Sequence, residues 1–278
     1  MPIVPTALNQ GGPVPTTTAP LDVPPAPAPP EPVDLAAGTY RRFAAAFPLL
    51  RVTTEPPTGG GWLTGRALAA DDALRGHLLS RQAQAMESAQ GAAPRPDVAA
   101  TEILHQYAFV ACLAMSAPWY LERRVPWLDA DGVAYHEARG VLALTPTRVT
   151  VLPGDPAAAL PGARTVPDEE ALRADLRAAV AAHLEPLLTA FGPLLRRGAR
   201  GMWGVATDEL ADGLGYLGDL LGDRPAAARA ADALLPGGTP PFAGSARFRP
   251  DGTRTRMNCC LYYTFPSAQL CAACPRVR

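Results

Sequence analysis

Proline is the residue that most limits what this chain can fold into, because it lacks a backbone N–H donor and interrupts both helices and strands. The chain contains 32 prolines in 278 residues, and many of them lie in residues 1–34, as in LDVPPAPAPPEPV. This stretch has little apolar surface to bury. We therefore predict a disordered, Pro-rich tail over residues 1–34. A docking ligand for a proline-binding domain is the functional alternative for this tail.

The pattern becomes helical from Leu35. Apolar residues recur at helical spacing in three stretches separated by Pro and Gly clusters, which are LAAGTYRRFAAAF, DDALRGHLLSRQAQAMESAQ and DVAATEILHQYAFVACLAMS. We expect three helices on one core. Cys112 lies in the most apolar of them, where a free cysteine behaves as a small hydrophobic residue, so we expect it in the core.

More helices follow towards the carboxyl terminus. The stretch Thr165-Val166-Pro167-Asp168 resembles a capping box with Pro near the first turn, so a helix should start there, and Pro186 should kink or end it. Two further helical stretches are GMWGVATDELADGLGYLGDLLG and AAARAADALL. The loop from Pro236 to Pro241 then separates this helical body, residues 35–240, from a small carboxy-terminal module, residues 241–278.

Strands are expected at one place in the body. In RGVLALTPTRVTVLPG, two short β-branched runs flank Thr145-Pro146-Thr147-Arg148, which is typical of an antiparallel hairpin. The glycine-rich stretch from Gly59 to Gly65 is expected to be a loop. The predicted fold class is therefore α+β, with a mainly helical body and one antiparallel β-hairpin.

Two apparent motifs carry no function. Gly213-Leu214-Gly215-Tyr216-Leu217-Gly218 matches GxGxxG, but a helical pattern precedes it instead of a strand, and no acidic residue follows at the required distance. Packing of helices through small residues explains these glycines better. The four histidines are scattered and form no HExxH pair, so they predict no zinc hydrolase.

Charge and hydropathy exclude several partners. The formal net charge of −1 gives no case for nucleic acid. The amino-terminal residues lack the features of an export signal, and the longest apolar run, Ala108 to Leu121, is too short for a membrane span and contains Pro118. We expect a cytoplasmic protein with no integral membrane segment. In that reducing compartment, clustered cysteines are typical of metal binding or catalysis, not of disulfides.

Four of the five cysteines lie near the carboxyl terminus in NCCLYYTFPSAQLCAACP, with the spacing C-C-x10-C-x2-C. We expect LYYTF to form a short strand and Pro266-Ser267-Ala268 to turn the chain back, so that Cys259, Cys260, Cys271 and Cys274 meet in a hairpin. Structural zinc normally takes two pairs spaced by two to four residues, and only Cys271 and Cys274 fit that rule. An adjacent pair suits a cluster that distributes its thiolates over two irons. These considerations leave zinc and an iron–sulfur cluster open.

The same residues resemble a known family. Asn258-Cys259-Cys260-Leu261-Tyr262-Tyr263 followed by Cys271-Ala272-Ala273-Cys274-Pro275 is similar to the carboxy-terminal signature of FhuF-type ferric-siderophore reductases, and Arg200-Gly201-Met202-Trp203-Gly204 resembles a weaker element of that family. The resemblance extends over residues 35–278 and excludes the Pro-rich tail. It implies that Cys259, Cys260, Cys271 and Cys274 bind a 2Fe-2S cluster.

The resemblance also implies a function. The protein would reduce a cytoplasmic ferric siderophore by one electron and so release Fe(II), either in free solution or loosely associated with the inner membrane face. Because the sequence has no flavin or nicotinamide motif, the electron would come from an external donor such as a ferredoxin, a flavodoxin or their reductase. The alternatives are a structural zinc protein and an iron–sulfur protein of siderophore metabolism that does not reduce chelates.

Two groups of residues near the cysteines are further candidates. Residues 247–278 contain six arginines against a single acid, Asp251; the arginines are Arg247, Arg249, Arg254, Arg256, Arg276 and Arg278. They would either lie on a solvated face or favour the reduced cluster and attract an anionic donor or substrate. Trp203, Tyr262 and Tyr263 are candidates for an aromatic wall against the chelate, and core packing is the alternative for each.

Overall fold

The computed structural model describes residues 37–46, 51–249, 251–266 and 270–276. It confirms the α+β, mainly helical class. The helices are α1 (Ala37–Ala46), α2 (Gly65–Ala70), α3 (Asp72–Gln90), α4 (Pro96–Glu122), α5 (Glu169–Leu195), α6 (Ala199–Leu221) and α7 (Arg224–Leu234). The strands are β1 (Arg51–Thr53), β2 (Trp62–Thr64), β3 (Val125–Trp127), β4 (Val133–His136), β5 (Val141–Leu144), β6 (Arg148–Val151) and β7 (Ala163–Thr165). The Pro-rich tail predicted for residues 1–34 lies outside the described residues.

Aspartates begin three of the helices. The Asp71 carboxylate accepts a hydrogen bond from the Leu74 N–H at the start of α3, and Asp168 and Asp223 do the same at the starts of α5 and α7. Each carboxylate satisfies one of the N–H groups that a helix leaves without an internal partner. The helix start predicted in Thr165-Val166-Pro167-Asp168 is therefore confirmed, with Asp168 as its N-cap.

Helix α4 is the centre of the fold. Every residue from Asp97 to Trp119 is buried, because α4 packs against α1, α3, α5 and α6. Each fully buried large apolar side chain, such as Leu104, stabilises the fold by about 1.5–3 kcal/mol. Cys112 is fully buried in this helix, which confirms the expected core position. Phe242 and Ala246 join the same apolar cluster, and the boundary at residue 240 stays a prediction.

Helices α4 and α5 are long and apolar enough to cross a membrane by length and composition alone. The most apolar part of α4 is entirely buried inside the protein, and half of the corresponding part of α5 is buried. Core helices of soluble proteins have these properties, so the composition of α4 and α5 is explained by their packing.

The strands form two small sheets. The first has the order β1-β5-β4-β2, in which β1 and β5 are parallel and the other neighbours are antiparallel. The second has the order β3-β6-β7, in which β3 and β6 are antiparallel and β6 and β7 are parallel. The second sheet contacts α4 and α5 through β3, and the first contacts α1 through β1 and α2 through β2.

The hairpin predicted around Thr145–Arg148 is wrong. The two runs are strands β5 and β6, but they belong to different sheets. The Thr145 N–H donates to the Gly132 carbonyl beside the first sheet, whereas the Thr147 N–H donates to the Trp127 carbonyl of the second. Pro146 between them has no N–H to donate. These residues thus carry the chain from one sheet to the other, and the antiparallel partner of β5 is β4.

Two other local predictions also need correction. Helix α5 does not end at Pro186 but continues through Pro193 to Leu195. Leu184, Leu187 and Leu188 are buried around Pro186, and their burial outweighs the hydrogen bond that the proline removes. The stretch Gly59–Gly65 is only partly a loop, because Trp62–Thr64 is strand β2, paired with β4.

The glycines of the GxGxxG sequence lie inside α6, as expected for helix packing. A Cβ atom added at Gly218 would lie 2.6 Å from the Ala227 Cβ and 3.0 Å from the Arg224 Cα of α7. A Cβ added at Gly213 would meet α4 at ordinary van der Waals distance, with Leu113 atoms at 3.8 Å. Gly218 is therefore required for the close approach of α6 and α7, whereas Gly213 is not.

We predict opposite effects for alanine at these two glycines. Gly218→Ala should lower the free energy of unfolding by about 1–3 kcal/mol, because the added methyl group overlaps α7. Gly213→Ala should be neutral or stabilising by up to about 1 kcal/mol, because alanine favours the helix and has room. Urea unfolding followed by circular dichroism measures both. Equal stability of the two variants would contradict the packing described here.

Candidate metal centre

The carboxy-terminal segment from Arg254 to Cys274, which carries the four cysteines, lies across the first half of α6 and the adjoining face of α4. Its residues Arg254, Met257 and Asn258 contact Asp208 of α6, and Arg256 contacts His105 of α4. The segment passes directly over Gly204, since a Cβ added there would lie 2.6 Å from the Asn258 Nδ2 atom. The glycine thus leaves room for the backbone that leads into Cys259.

Asp208 holds this backbone in place. Its carboxylate is fully buried and accepts hydrogen bonds from the Met257 N–H at 2.8 Å, the Asn258 N–H at 2.8 Å and the Arg254 Nη2 group at 2.7 Å. A buried carboxylate is tolerated only when it is paired and hydrogen-bonded, and Asp208 meets both conditions. One side chain therefore positions the two residues that precede the cysteine pair.

A second buried group connects α4, α6 and the segment. The Glu209 carboxylate contacts both His105 Nδ1 and Arg256 Nη2. Arg256 also lies near the His105 ring, with Nη2 at 3.1 Å from Nδ1, and its Nε atom is 3.3 Å from Asp212. Asp212 contacts Arg254 as well. We call Asp208, Glu209, Asp212, Arg254, Arg256 and His105 the ion network.

Carboxylates keep both arginines of the ion network charged. Burial by itself would lower the pKa of Arg256, but Glu209 and Asp212 raise it well above its usual range. Burial likewise opposes the charge of Arg254, and Asp212 and Asp208 raise its pKa. The prediction that the arginines of this segment lie on a solvated face is therefore wrong for Arg254 and Arg256, which are buried and paired.

The segment contains a tight turn where a strand was predicted. Leu261 has a φ of 67°, in the left-handed region, and Tyr262–Thr264 form a 3-10 helix. The Thr264 N–H and hydroxyl both donate to the Leu261 carbonyl. The prediction of a strand in LYYTF is wrong, because the chain reverses at Leu261 and Phe265 then packs against Met86 and Val98. Of the predicted turn Pro266-Ser267-Ala268, the last two residues lie outside the described ranges.

The structure brings the four predicted cysteines together. Cys271 lies near enough to Cys260 and Cys274 to shift their protonation together, and Cys259 is close enough to Cys260 and Cys274 to be affected by their charge. The Arg256 N–H donates to the Ala273 carbonyl at 2.9 Å, which joins the two halves of the segment. Cys274 is buried, Cys259 and Cys260 are half-buried, and Cys271 is exposed. The four thiols therefore form one cluster at the protein surface.

Neighbouring groups shift the pKa values of Cys259, Cys260 and Cys271 in different directions. The pKa of Cys260 is lowered to about 6, first because Cys271 donates a hydrogen bond to it, and further by the Tyr262 N–H, Arg256 and His105. The same hydrogen bond raises the pKa of Cys271. Burial raises the pKa of Cys259. Cys260 is thus the thiol that loses its proton first, and it lies beside the ion network.

Zinc and a 2Fe-2S cluster both remain candidates for these thiols. Among the described residues, no group of three or more His, Cys, Asp or Glu side chains is arranged around one metal ion. A 2Fe-2S cluster would distribute four thiolates over two irons, whereas structural zinc would need its ligands to converge on one atom.

The three candidate aromatic residues occupy different places. Trp203 is half-buried and packs edge-on against Phe242, with ring centroids 5.8 Å apart. Tyr262 is hydrogen-bonded to Glu102, and burial raises its pKa. Tyr263 is exposed and lies under the Arg276 guanidinium, 4.0 Å from the ring centre. They form no common wall within the described residues, and Trp203 lines a groove at the start of α6.

Two cavities lie near the start of α6, and the smaller one adjoins the thiols. A groove of about 660 Å³ lies between the end of α5 and the start of α6, and its lining includes Glu185, Thr189, Arg196, Arg197, Met202 and Trp203. A small cavity of about 20 Å³ is lined by residues that include His105, Arg197, Glu209, Cys259 and Cys260. It has room for one water molecule next to Glu209 Oε2, which has no hydrogen-bond partner among the described residues. Arg197 lines both cavities.

His105 and the carboxylates of Asp208, Glu209 and Asp212 were not among the site residues predicted from the sequence. A signal for them exists in α4, because Thr101, His105 and Gln106 are polar residues at helical spacing within an otherwise apolar helix. A matching signal is the pair Asp208 and Asp212, four residues apart on one face of α6. Neither signal identifies its partner, which lies about 150 residues away in the case of His105 and Arg256.

We predict that the buried carboxylate of Asp208 is far more important for stability than an exposed one on the same helix. Asp208→Asn should lower the free energy of unfolding by about 3 kcal/mol, because it leaves Arg254 and two backbone N–H groups poorly matched in the interior. Asp219→Asn, which breaks the exposed pair with Arg224, should lower it by less than about 1 kcal/mol. Urea unfolding of both variants is the measurement, and equal losses would contradict the role of Asp208.

We also predict that, in the reduced, metal-free protein, the most exposed thiol is not the most reactive one. Iodoacetamide reacts with the thiolate, so at pH 7 it should modify Cys260 before the more exposed Cys271. The rate at Cys260 should fall as the pH drops below about 6, the pKa of this thiol. Cys271→Ala removes the hydrogen bond and should shift this dependence to higher pH. Peptide mass spectrometry follows each cysteine, and faster modification of Cys271 would refute the assignment.

Comparisons with known proteins do not assign a family to the chain. No protein-family model matches it, and no curated protein matches it. The resemblance to ferric-siderophore reductases therefore rests on the spacing of Cys259, Cys260, Cys271 and Cys274 and on the residues around them.

Proposed function

We propose that this protein is a 2Fe-2S ferric-siderophore reductase of the cytoplasm. The observation that carries the proposal is the meeting of Cys259, Cys260, Cys271 and Cys274 in one cluster of thiols, in a chain whose C-C-x10-C-x2-C spacing resembles that of such reductases. These four cysteines would hold the cluster, and the cluster would supply one electron at a time to a ferric chelate.

The surrounding residues are suited to stabilise an anionic centre. An all-thiolate 2Fe-2S centre has a charge of about −2 when oxidised and about −3 when reduced, so nearby cations favour the reduced form. Arg256 lies beside Cys260, and Arg197 Nη2 donates a hydrogen bond to the Cys259 carbonyl at 2.8 Å. The ion network holds Arg256 in place.

The chemistry of the substrate needs no acid, base or nucleophile from the protein. Hard oxygen donors bind Fe(III) far more tightly than Fe(II), so the added electron collapses the affinity of the chelate and frees the metal. What the protein must do is hold the chelate near the thiols and accept electrons from an external donor of the ferredoxin or flavodoxin class, or from their reductase. Cys271 is exposed, so the centre would be accessible from the protein surface on that side.

The test is a metal and redox analysis of the full chain purified without oxygen. We expect two irons and two sulfides per chain, and a 2Fe-2S electron paramagnetic resonance signal after dithionite that is absent before it. Mixing the reduced protein with ferric chelates should reoxidise it and produce one Fe(II) per protein, trapped by an Fe(II)-specific chelator.

Two cysteine variants sharpen this test. Cys259→Ser should lose the signal, whereas Cys112→Ala, which changes a buried core cysteine outside the segment, should keep it. One zinc per chain without a reducible chromophore would refute the proposal in favour of a structural zinc protein. A cluster that transfers no electron to any chelate would leave an iron–sulfur protein with another role in siderophore metabolism.

A further inference from the structure

We propose that the small cavity beside the cysteine pair binds one water molecule, which Glu209 holds and which donates a hydrogen bond to the Cys260 sulfur. Glu209 would then be a positioning residue of the metal centre, acting on the thiol through the water. The water site depends on no particular metal, whereas its effect on a reduction potential rests on the proposed 2Fe-2S reductase function.

The carboxylate of Glu209 provides the main argument. Its side chain is fully buried in α6, and its Oε1 atom contacts His105 and Arg256. The Oε2 atom is buried too, but within the described ranges it has no hydrogen-bond partner. A buried oxygen in this situation has lost its bonds to solvent without replacement, which is costly. An internal water molecule is a common partner for such an atom.

The cavity has the size and the polarity that one water molecule needs. Its volume is about 20 Å³, and roughly 10–15 Å³ is enough to hold one water. A larger ligand does not fit. Val205 is the apolar side chain of the lining, and most of the other lining residues are polar, namely Thr101, His105, Arg197, Glu209, Arg256 and Asn258.

The lining can also orient the water. A buried water typically makes about three hydrogen bonds. Asn258 Nδ2 is 3.4 Å from the Asp208 carboxylate and has a second N–H, and Arg197 has further N–H groups besides the one that binds the Cys259 carbonyl. These groups can donate to the water oxygen. One O–H of the water then points to Glu209 Oε2, and the other is left for a sulfur acceptor.

The cavity is separate from the space that a metal would occupy. Its lining includes Cys259 and Cys260 but neither Cys271 nor Cys274. It therefore lies on the side of the cysteine pair that faces α4 and α6, and not among the four thiols. A metal held by all four sulfurs would leave the water site in place.

Cys260 is the better acceptor of the two adjacent cysteines. The Cys259 Sγ atom already accepts the Leu261 N–H at 3.4 Å. Cys260 lies beside Arg256 and His105, the two residues that contact Glu209. A water bound to Glu209 is thus directed towards Cys260.

The water and the carboxylate would affect a 2Fe-2S centre in opposite ways. A hydrogen bond to a ligand sulfur favours the more negative, reduced form and raises the potential. The negative charge of Glu209 disfavours the added electron and lowers the potential. Different substitutions remove the two effects, so they can be measured separately.

The first experiment is a high-resolution crystal structure of the full chain, purified without oxygen and with its native metal. We expect an ordered water within hydrogen-bond distance of Glu209 Oε2 and of the Cys260 sulfur. Val205→Ile adds one methylene group to the lining and should expel this water. A wild-type structure without the water, or with the water out of reach of Cys260, would overturn the inference. This result is the same test for iron and for zinc, whereas zinc would refute only the proposed function.

The second experiment measures the midpoint potential of the 2Fe-2S form by redox titration followed by electron paramagnetic resonance. Val205→Ile should lower the potential, because the hydrogen bond to Cys260 is lost. Glu209→Gln should raise it, because glutamine keeps an oxygen that can bind the water but removes the charge. Val110→Ile makes the same change at a similarly buried valine of α4 that does not line the cavity, and it should leave the potential unchanged.

The opposite signs make the second experiment specific. A merely structural defect gives no reason for Val205→Ile and Glu209→Gln to shift the potential in opposite directions. An unchanged or raised potential in Val205→Ile, or a lowered one in Glu209→Gln, would contradict the assigned role of the water. If Glu209→Gln does not fold, the comparison of Val205→Ile with Val110→Ile still decides the question.

Discussion

The candidate metal centre depends on one electrostatic constraint, which is that two carboxylates of α6, Asp208 and Glu209, are fully buried beside the partly buried Asp212, and their charges must be neutralised. Asp208, Glu209 and Asp212 meet this requirement through Arg254 and Arg256 of the carboxy-terminal segment. Removing either partner would leave buried charge without compensation, which is far more costly than the pair itself is favourable. The segment therefore has one position on α4 and α6, and the thiols have one position with it.

Local patterns in the sequence predict the helical part of this fold well. The apolar period of DVAATEILHQYAFVACLAMS and the aspartate before α5 identify elements whose stability comes from short-range capping and from a buried face. The four cysteines were also identified from their spacing alone. The spacing does not show which way the backbone turns between them, so the strand predicted at Tyr262 is instead a 3-10 helix.

Long-range contacts explain what could not be predicted. Residues around Pro146 have the pattern of a hairpin, but the partners that separate β5 from β6 are Gly132 and Trp127, which no local pattern indicates. His105 is one of several polar residues in an apolar helix, and its role becomes visible only when Glu209 and Arg256 lie next to it. The groove likewise arises where the end of α5 and the start of α6 meet.

Arg256 joins three parts of the molecule at once. Its side chain reaches His105 of α4 and Glu209 of α6, and its backbone N–H binds the Ala273 carbonyl between the second pair of cysteines. The two cysteine pairs are thus joined to the helical core through Arg256, by contacts of the protein itself. Zinc fingers, in contrast, unfold when the metal leaves. We therefore expect the segment to stay packed on α4 and α6 whether or not its cysteines hold a cofactor.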